Sequence, residues 1–250
     1  MGVYIPQFKP LAGTADEAKS ISAVLPDSKV ISGKDATESV IKDQKGPRIL
    51  HIATHGFFLP DAPEAPQPSP QTKQRSVIVT FKKSSIDTVR HENALLRSGI
   101  VLAGANDSGL DTTNSSANPA TNNSQNGSMD DGILTALEVS GMDLWGTKLV
   151  VLSACETGLG DLKQGEGVYG LRRAILIAGA ETEVISLWPV SDQATAFLMI
   201  DFYKRLLSGN GRMESLREAQ LKIMKTLNHP YYWAAFIPVG DWRSLPAQGN

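Results

Sequence analysis

The run Lys148-Leu-Val-Val-Leu-Ser153 carries apolar side chains without a polar break, the pattern of a strand covered on both faces. Further short apolar or β-branched runs fall at residues 29–32 (the weakest), 48–53, 76–81, 99–103, 183–188 and 235–239. Helical stripes separate several of them. Ala18, Ile21, Val24 and Leu25 mark one over 15–25, and Val168, Leu171, Ala174, Ile175 and Ala178 mark another over 167–178. Residues 192–207 and 213–227 repeat the pattern through Ala196, Met199, Ile200, Tyr203 and Leu207, then Leu216, Ala219, Ile223 and Leu227. Strands alternating with helices predict an α/β fold with a mostly parallel central sheet and helices on both faces. In such sheets ligands and catalytic groups gather at the carboxyl ends of the strands.

A chain of 250 residues can bury one sizeable core, so a single domain over 1–250 is expected. Two stretches interrupt it. Residues from about 59 to 75 contain Pro60, Pro63, Pro66, Pro68 and Pro70, which no helix or central strand tolerates. Residues 106–131 form an Asn/Ser/Thr/Gly tract with too few apolar side chains to offset the entropy of ordering. Both read as flexible insertions. Lys+Arg number 24 against 26 Asp+Glu, a net charge of −2, so nothing drives binding to a nucleic-acid backbone. No apolar run approaches a membrane span and the first residues lack a signal-peptide layout, so a cytoplasmic protein is expected.

Two strand ends carry chemistry. The strand at 48–53 is followed by Thr54-His55-Gly56, and the strand at 148–153 by Ala154-Cys155-Glu156-Thr157-Gly158. Cys155 is the single cysteine, which excludes an intrachain disulfide and a Cys-rich zinc site. It is inert packing, a surface accident or a nucleophile. If the two strands are neighbours in a parallel sheet, His55 and Cys155 emerge at one edge. An imidazole there would convert the thiol to a nucleophilic thiolate. The backbone N–H groups of Gly56 and Cys155 would form the simplest oxyanion hole for acyl transfer.

These two motifs resemble those of CHAT domains, the bacterial caspase-like proteases often attached to tetratricopeptide repeats. Further stretches match the family in order: residues 95–105, 131–136, Gly165-Glu-Gly167-Val-Tyr-Gly170-Leu-Arg-Arg173, Leu187-Trp188 and 229–236. The resemblance implies a caspase-like three-layer sandwich and a cysteine endopeptidase, with His55 and Cys155 catalytic and no third catalytic member. It also implies one catalytic half, acting on a protein or peptide substrate under a regulatory protein or a fused tetratricopeptide-repeat region. Neither metal nor organic cofactor is required. By likeness to separases, Asp192 after Leu187-Trp188 would receive a basic P1 side chain, with Trp188 beside it. The simpler account of Asp192 is a helix N-cap. Glu156, Asp161 and Glu166 are weaker candidates for the same selection.

Rival readings fare worse. Gly165-x-Gly167-x-x-Gly170 fits a dinucleotide fingerprint, yet it begins twelve residues after the strand ends at Ser153, not at the turn where pyrophosphate would meet a helix. His51 and His55 share the spacing of paired zinc ligands, but their segment reads as strand and lacks the intervening glutamate, so His51 is expected to be packed and hydrogen-bonded. His91 and His229 have no evident partner. A silent interaction module with the same fold would need neither His55 nor Cys155.

Overall fold

The computed structural model describes residues 8–9, 11–58, 94–106, 130–156, 166–188 and 191–246. The expected strand at 76–81, the Pro-rich insertion and residues 107–129 of the polar tract lie outside these. The elements run α1 (Ala12–Val24), α2 (Glu38–Lys42), β1 (Ile49–Phe58), α3 (Ala94–Arg97), β2 (Ser98–Val101) and β3 (Ile133–Thr135). They continue with α4 (Ala136–Ser140), β4 (Leu149–Glu156), α5 (Glu166–Ile177), β5 (Thr182–Ser186), α6 (Asp192–Leu207), α7 (Arg212–Met224) and β6 (Phe236–Gly240).

Six strands make one sheet in the order β3-β2-β1-β4-β5-β6. The centre is parallel, β1 beside β4 and β4 beside β5, whereas β1–β2, β2–β3 and β5–β6 pair antiparallel. The sheet is therefore mixed in its pairings, not mostly parallel. The apolar run of β4 explains itself in the packing. Leu149 and Val151 join Leu198, Met199 and Phe202 of α6 and Leu216 of α7, with Ile21 of α1 in the same cluster. Val150 and Leu152 join Val139 of α4 and Leu171, Ala174 and Ile175 of α5. Alternate residues thus enter opposite cores, and both sheet faces carry helices.

Local chemistry sets the element ends. Thr135 accepts from the Glu138 N–H at 3.3 Å while Glu138 accepts from the Thr135 N–H at 2.9 Å, a reciprocal cap that starts α4. Just upstream, Gly132 holds a φ of +78°, and a Cβ there would lie 2.1 Å from the Ala105 nitrogen. Only glycine fits that crossing. The weak run at 29–32 forms no strand; Val30 is half exposed and no strand among the described residues pairs with it.

Candidate active site

β1 and β4 both run further than their apolar cores suggest. The parallel ladder continues from Ile49↔Leu149 through Ala53↔Ser153 to His55↔Cys155 and Gly56↔Glu156. His55 and Cys155 are therefore within the strands, not beyond them, and their backbones are direct neighbours. Adjacent strands lie about 4.8 Å apart. Continued pairing against β2, where His55 sits opposite Val101 and Gly56 opposite Ile100, keeps β1 extended past its apolar run. Cys155 is followed by residues 157–165, which are outside the described part.

His55 is half-buried, and its ring has a definite proton arrangement. Nε2 lies 2.7 Å from the Lys9 carbonyl oxygen, which can only accept, so Nε2 carries the proton. The lone pair of a neutral ring then belongs to Nδ1. That nitrogen is buried and has no hydrogen-bond partner among the described residues. The Phe8 ring lies 5.6 Å from the imidazole, tilted by 40°. Phe8 is itself pinned: its N–H donates to Asn106 Oδ1 and its carbonyl accepts from Asn106 Nδ2, each at 2.9 Å.

The remaining expected residues separate. Gly56 is buried in β1 between Ile100 of β2 and Glu156 of β4. Trp188 packs on the α6–α7 core and donates from Nε1 to the Tyr231 carbonyl at 3.1 Å, so it has a structural part whatever else it does. Asp192 is not the N-cap of α6. Ser191 holds that position, and Asp192 is the first helical residue, exposed and close against Gly13 of α1, whose added Cβ would lie 2.1 Å from Asp192 Cβ. A groove between α1 and α6, about 420 Å³, is lined by Asp16, Ser20, Asp192, Gln193 and Phe197. Glu166 begins α5, and Asp161 lies outside the described residues.

His51 is packed and hydrogen-bonded, with Tyr203 at Nδ1 and Glu17 at Nε2. No cluster of three or more metal-ligating side chains occurs among the described residues. Gly167 and Gly170 fall inside α5, ten or more residues after the end of β4, so they form no phosphate-binding turn. Among the described helices none is long and apolar enough to cross a membrane.

Two participants escaped the sequence. The Lys9 carbonyl is a backbone group and leaves no signature in a side-chain pattern. Glu17 did leave one: it stands four residues before Ile21, a carboxylate on the apolar stripe of α1.

An α/β sheet whose two parallel central strands bring a histidine and a cysteine into register is consistent with a caspase-like fold. The family comparison agrees: the CHAT domain model matches residues 5–241, and the chain belongs to that family. A stretch of 111 residues, 44% of the chain, is 36% identical to tetratricopeptide repeat protein 28 of Mus musculus. The Homo sapiens protein of the same name matches to the same extent. The matched stretch covers 4% of each of those proteins.

Proposed function

We propose that this domain is a cysteine endopeptidase working through a His55–Cys155 dyad. The register His55↔Cys155 carries the proposal, because in-register partners of a parallel pair fall on one face of the pleat. His55 Nδ1, the open nitrogen, takes the thiol proton. The thiolate attacks the scissile carbonyl carbon, and the oxyanion falls to the N–H groups of Cys155 and Gly56, the latter on condition that it leaves its ladder pairing with Ile100 and Glu156. As the C–N bond breaks, Nδ1–H returns its proton to the leaving amine, giving a thioacyl enzyme. Water then adds to the thioester carbonyl with His55 as base, releasing the carboxylic acid and the thiol. The Lys9 carbonyl holds Nε2–H throughout, so the imidazolium formed in each half-reaction keeps one hydrogen bond it already had. No step uses a metal or an organic cofactor. Residues 1–250 act as one catalytic domain of caspase-like three-layer type, in the cytoplasm.

For specificity, Asp192 selects Arg or Lys at P1. Support comes from its exposure in the groove between α1 and α6, where Asp16 adds a second carboxylate. Asp192 is the first helical residue of α6, after Ser191 at the N-cap position. A carboxylate that a bound P1 side chain covers favours a bidentate guanidinium over an apolar group. The likeness to tetratricopeptide repeat protein 28 supports control by a fused repeat region or a partner that binds like one. A positional-scanning peptide library tests both levels, run with wild type, Cys155→Ala and Asp192→Ala. Cleavage after Arg and Lys, absent in Cys155→Ala and redistributed in Asp192→Ala, is expected. Turnover that survives Cys155→Ala would end the proposal.

A further inference from the structure

Below the ladder position of His55 and Cys155, on the face covered by α1 and α6, runs a buried polar chain. Glu17 enters from α1 with its side chain only 6% exposed. Its Oε1 lies 3.1 Å from His51 Nε2, and its Oε2 accepts from Ser153 Oγ at 3.3 Å. His51 Nδ1 lies 2.8 Å from the hydroxyl of Tyr203, a fully buried residue of α6. One proton arrangement satisfies every member. With Glu17 a carboxylate that only accepts, neutral His51 donates from Nε2 and receives the Tyr203 O–H at Nδ1. Burial, and then the Glu17 charge, push the Tyr203 phenol upward, so it stays protonated and able to donate.

Replacing Glu17 alone by an apolar side chain would leave His51 Nε2–H and the Ser153 hydroxyl without their acceptor, which costs stability as any orphaned buried donor does. The location is what singles the chain out. His51 and His55 are on one strand four residues apart, and Ser153 precedes Cys155 by two on the other. Glu17 therefore ties α1 to both strands that bear the dyad. Directly upstream of α1 are Phe8 and Lys9, whose contacts with Asn106 and with His55 Nε2 fix the imidazole.

We infer that Glu17 is a positioning residue for His55. By anchoring α1 to His51 and Ser153 it holds the Lys9 carbonyl on Nε2–H and so keeps Nδ1 as the free base. The inference rests on the dyad reading and adds its control point: a partner or fused segment that pulls on the residues ahead of α1 reaches the base without touching substrate.

The single cysteine makes a clean readout, since iodoacetamide alkylation of the whole chain reports Cys155 alone. Rates are measured from about pH 5 to about pH 9, a range spanning imidazole and thiol titration. The proteins are wild type, Glu17→Leu, Glu17→Gln, Ser153→Ala and His55→Ala. Thermal unfolding checks folding, and ¹⁵N-histidine spectra report the His55 tautomer. In Glu17→Leu the neutral-pH rate should fall on the order of tenfold, as displacement of a positioned group requires, and the Nε2–H tautomer of His55 should lose its dominance. Glu17→Gln should retain most of the rate, because His51 can switch tautomer, accept from the amide and donate to Tyr203. A folded Glu17→Leu with wild-type rate and unchanged His55 tautomer overturns the inference. Should Glu17→Leu fail to fold, Ser153→Ala decides: a severalfold drop supports it and a wild-type rate overturns it. If His55→Ala alkylates like wild type, the dyad reading itself falls, and this inference with it. If His55→Ala slows but the Glu17 and Ser153 variants do not, this inference falls alone.

Discussion

His55 and Cys155 are Cα partners near the end of an eight-pair parallel ladder that begins at Ile49 and Leu149. Below them, Ile49, Leu149 and Val151 pack into one core, and Leu50, Ile52, Val150 and Leu152 pack into the other. The apolar pairs hold the strands in register, and the register brings the two reactive residues together. A slip by one residue would move His55 to the other face of its strand.

The contact between Asn106 and Phe8 gives the first prediction. Asn106→Ala removes both hydrogen bonds that pin Phe8, while leaving His55, Cys155 and the groove untouched. Peptide cleavage should show kcat lowered on the order of tenfold with KM nearly unchanged, because the base, not substrate binding, is disturbed. A rise in KM at constant kcat would assign Asn106 to substrate binding instead.

Glu183 provides a pH signature of stability. It is buried in β5, and its Oε1 accepts from Arg172 Nε at 3.3 Å. Its other oxygen has no partner among the described residues. Burial pushes this carboxyl from 4.5 up to about 7, with Arg172 opposing only in part. The native state therefore holds the proton more tightly than the unfolded chain. The resulting stability is complete below the unfolded value of 4.5 and is lost as pH rises through about 7. Glu183→Gln removes this titration. Denaturant unfolding should show the variant gaining on wild type by on the order of 1–3 kcal/mol between acid and mildly alkaline pH. Parallel stability curves for the two proteins would show that folding does not raise the Glu183 carboxyl.

Arg212 tests the far end of the sheet. It is fully buried, and its guanidinium reaches Thr182 Oγ1 at 3.1 Å, Glu181 at 3.1 Å and Asp241 at 3.3 Å. It thus fastens the start of α7 to β5 and to the end of β6. Arg212→Met should lower unfolding free energy by about 2–3 kcal/mol, below the full cost of orphaning a buried charge. Glu181 and Asp241 remain partly exposed and can return to water. Cysteine alkylation should be unaffected at this distance from the edge, and a loss of thiol reactivity would contradict the assignment of Arg212 to the frame alone.

Much of this frame was legible in the residues. The unbroken run at Leu149–Leu152 read as a strand covered twice, and the stripes of α5 and α7 marked their buried faces through Leu171, Ala174, Ile175, Leu216, Ala219 and Ile223. The stripe expected on α6 was rotated: Met199 and Tyr203 are buried, but Ala196 and Ile200 are half-buried and Leu207 is exposed, while Leu198, Phe202 and Leu206 face the core. The Thr135 and Glu138 pair was an available helix-start signal. What stayed hidden is physical in origin. Strand ends were placed too early, because pairing with β2 extends β1 through residues that have no apolar alternation of their own. The antiparallel partners β2, β3 and β6 look no different in sequence from parallel ones, since short apolar runs do not encode direction. The N-cap position of α6 fell one residue early, on Ser191, which caps about as well as Asp by type but makes no side-chain cap bond here. The Lys9 carbonyl could not be read at all, because every residue carries one.

The central claim is that Cys155 is a nucleophile activated by His55. The most direct measurement is intact-mass analysis after incubation with a peptidyl acyloxymethyl ketone ending in Arg, using wild type, Cys155→Ala and His55→Ala. Wild type should gain one adduct per chain on Cys155, Cys155→Ala none, and His55→Ala an adduct formed slower by about a thousandfold or more, since the pair acts as one unit. An unmodified wild type, or labelling equally fast in His55→Ala, would contradict the account.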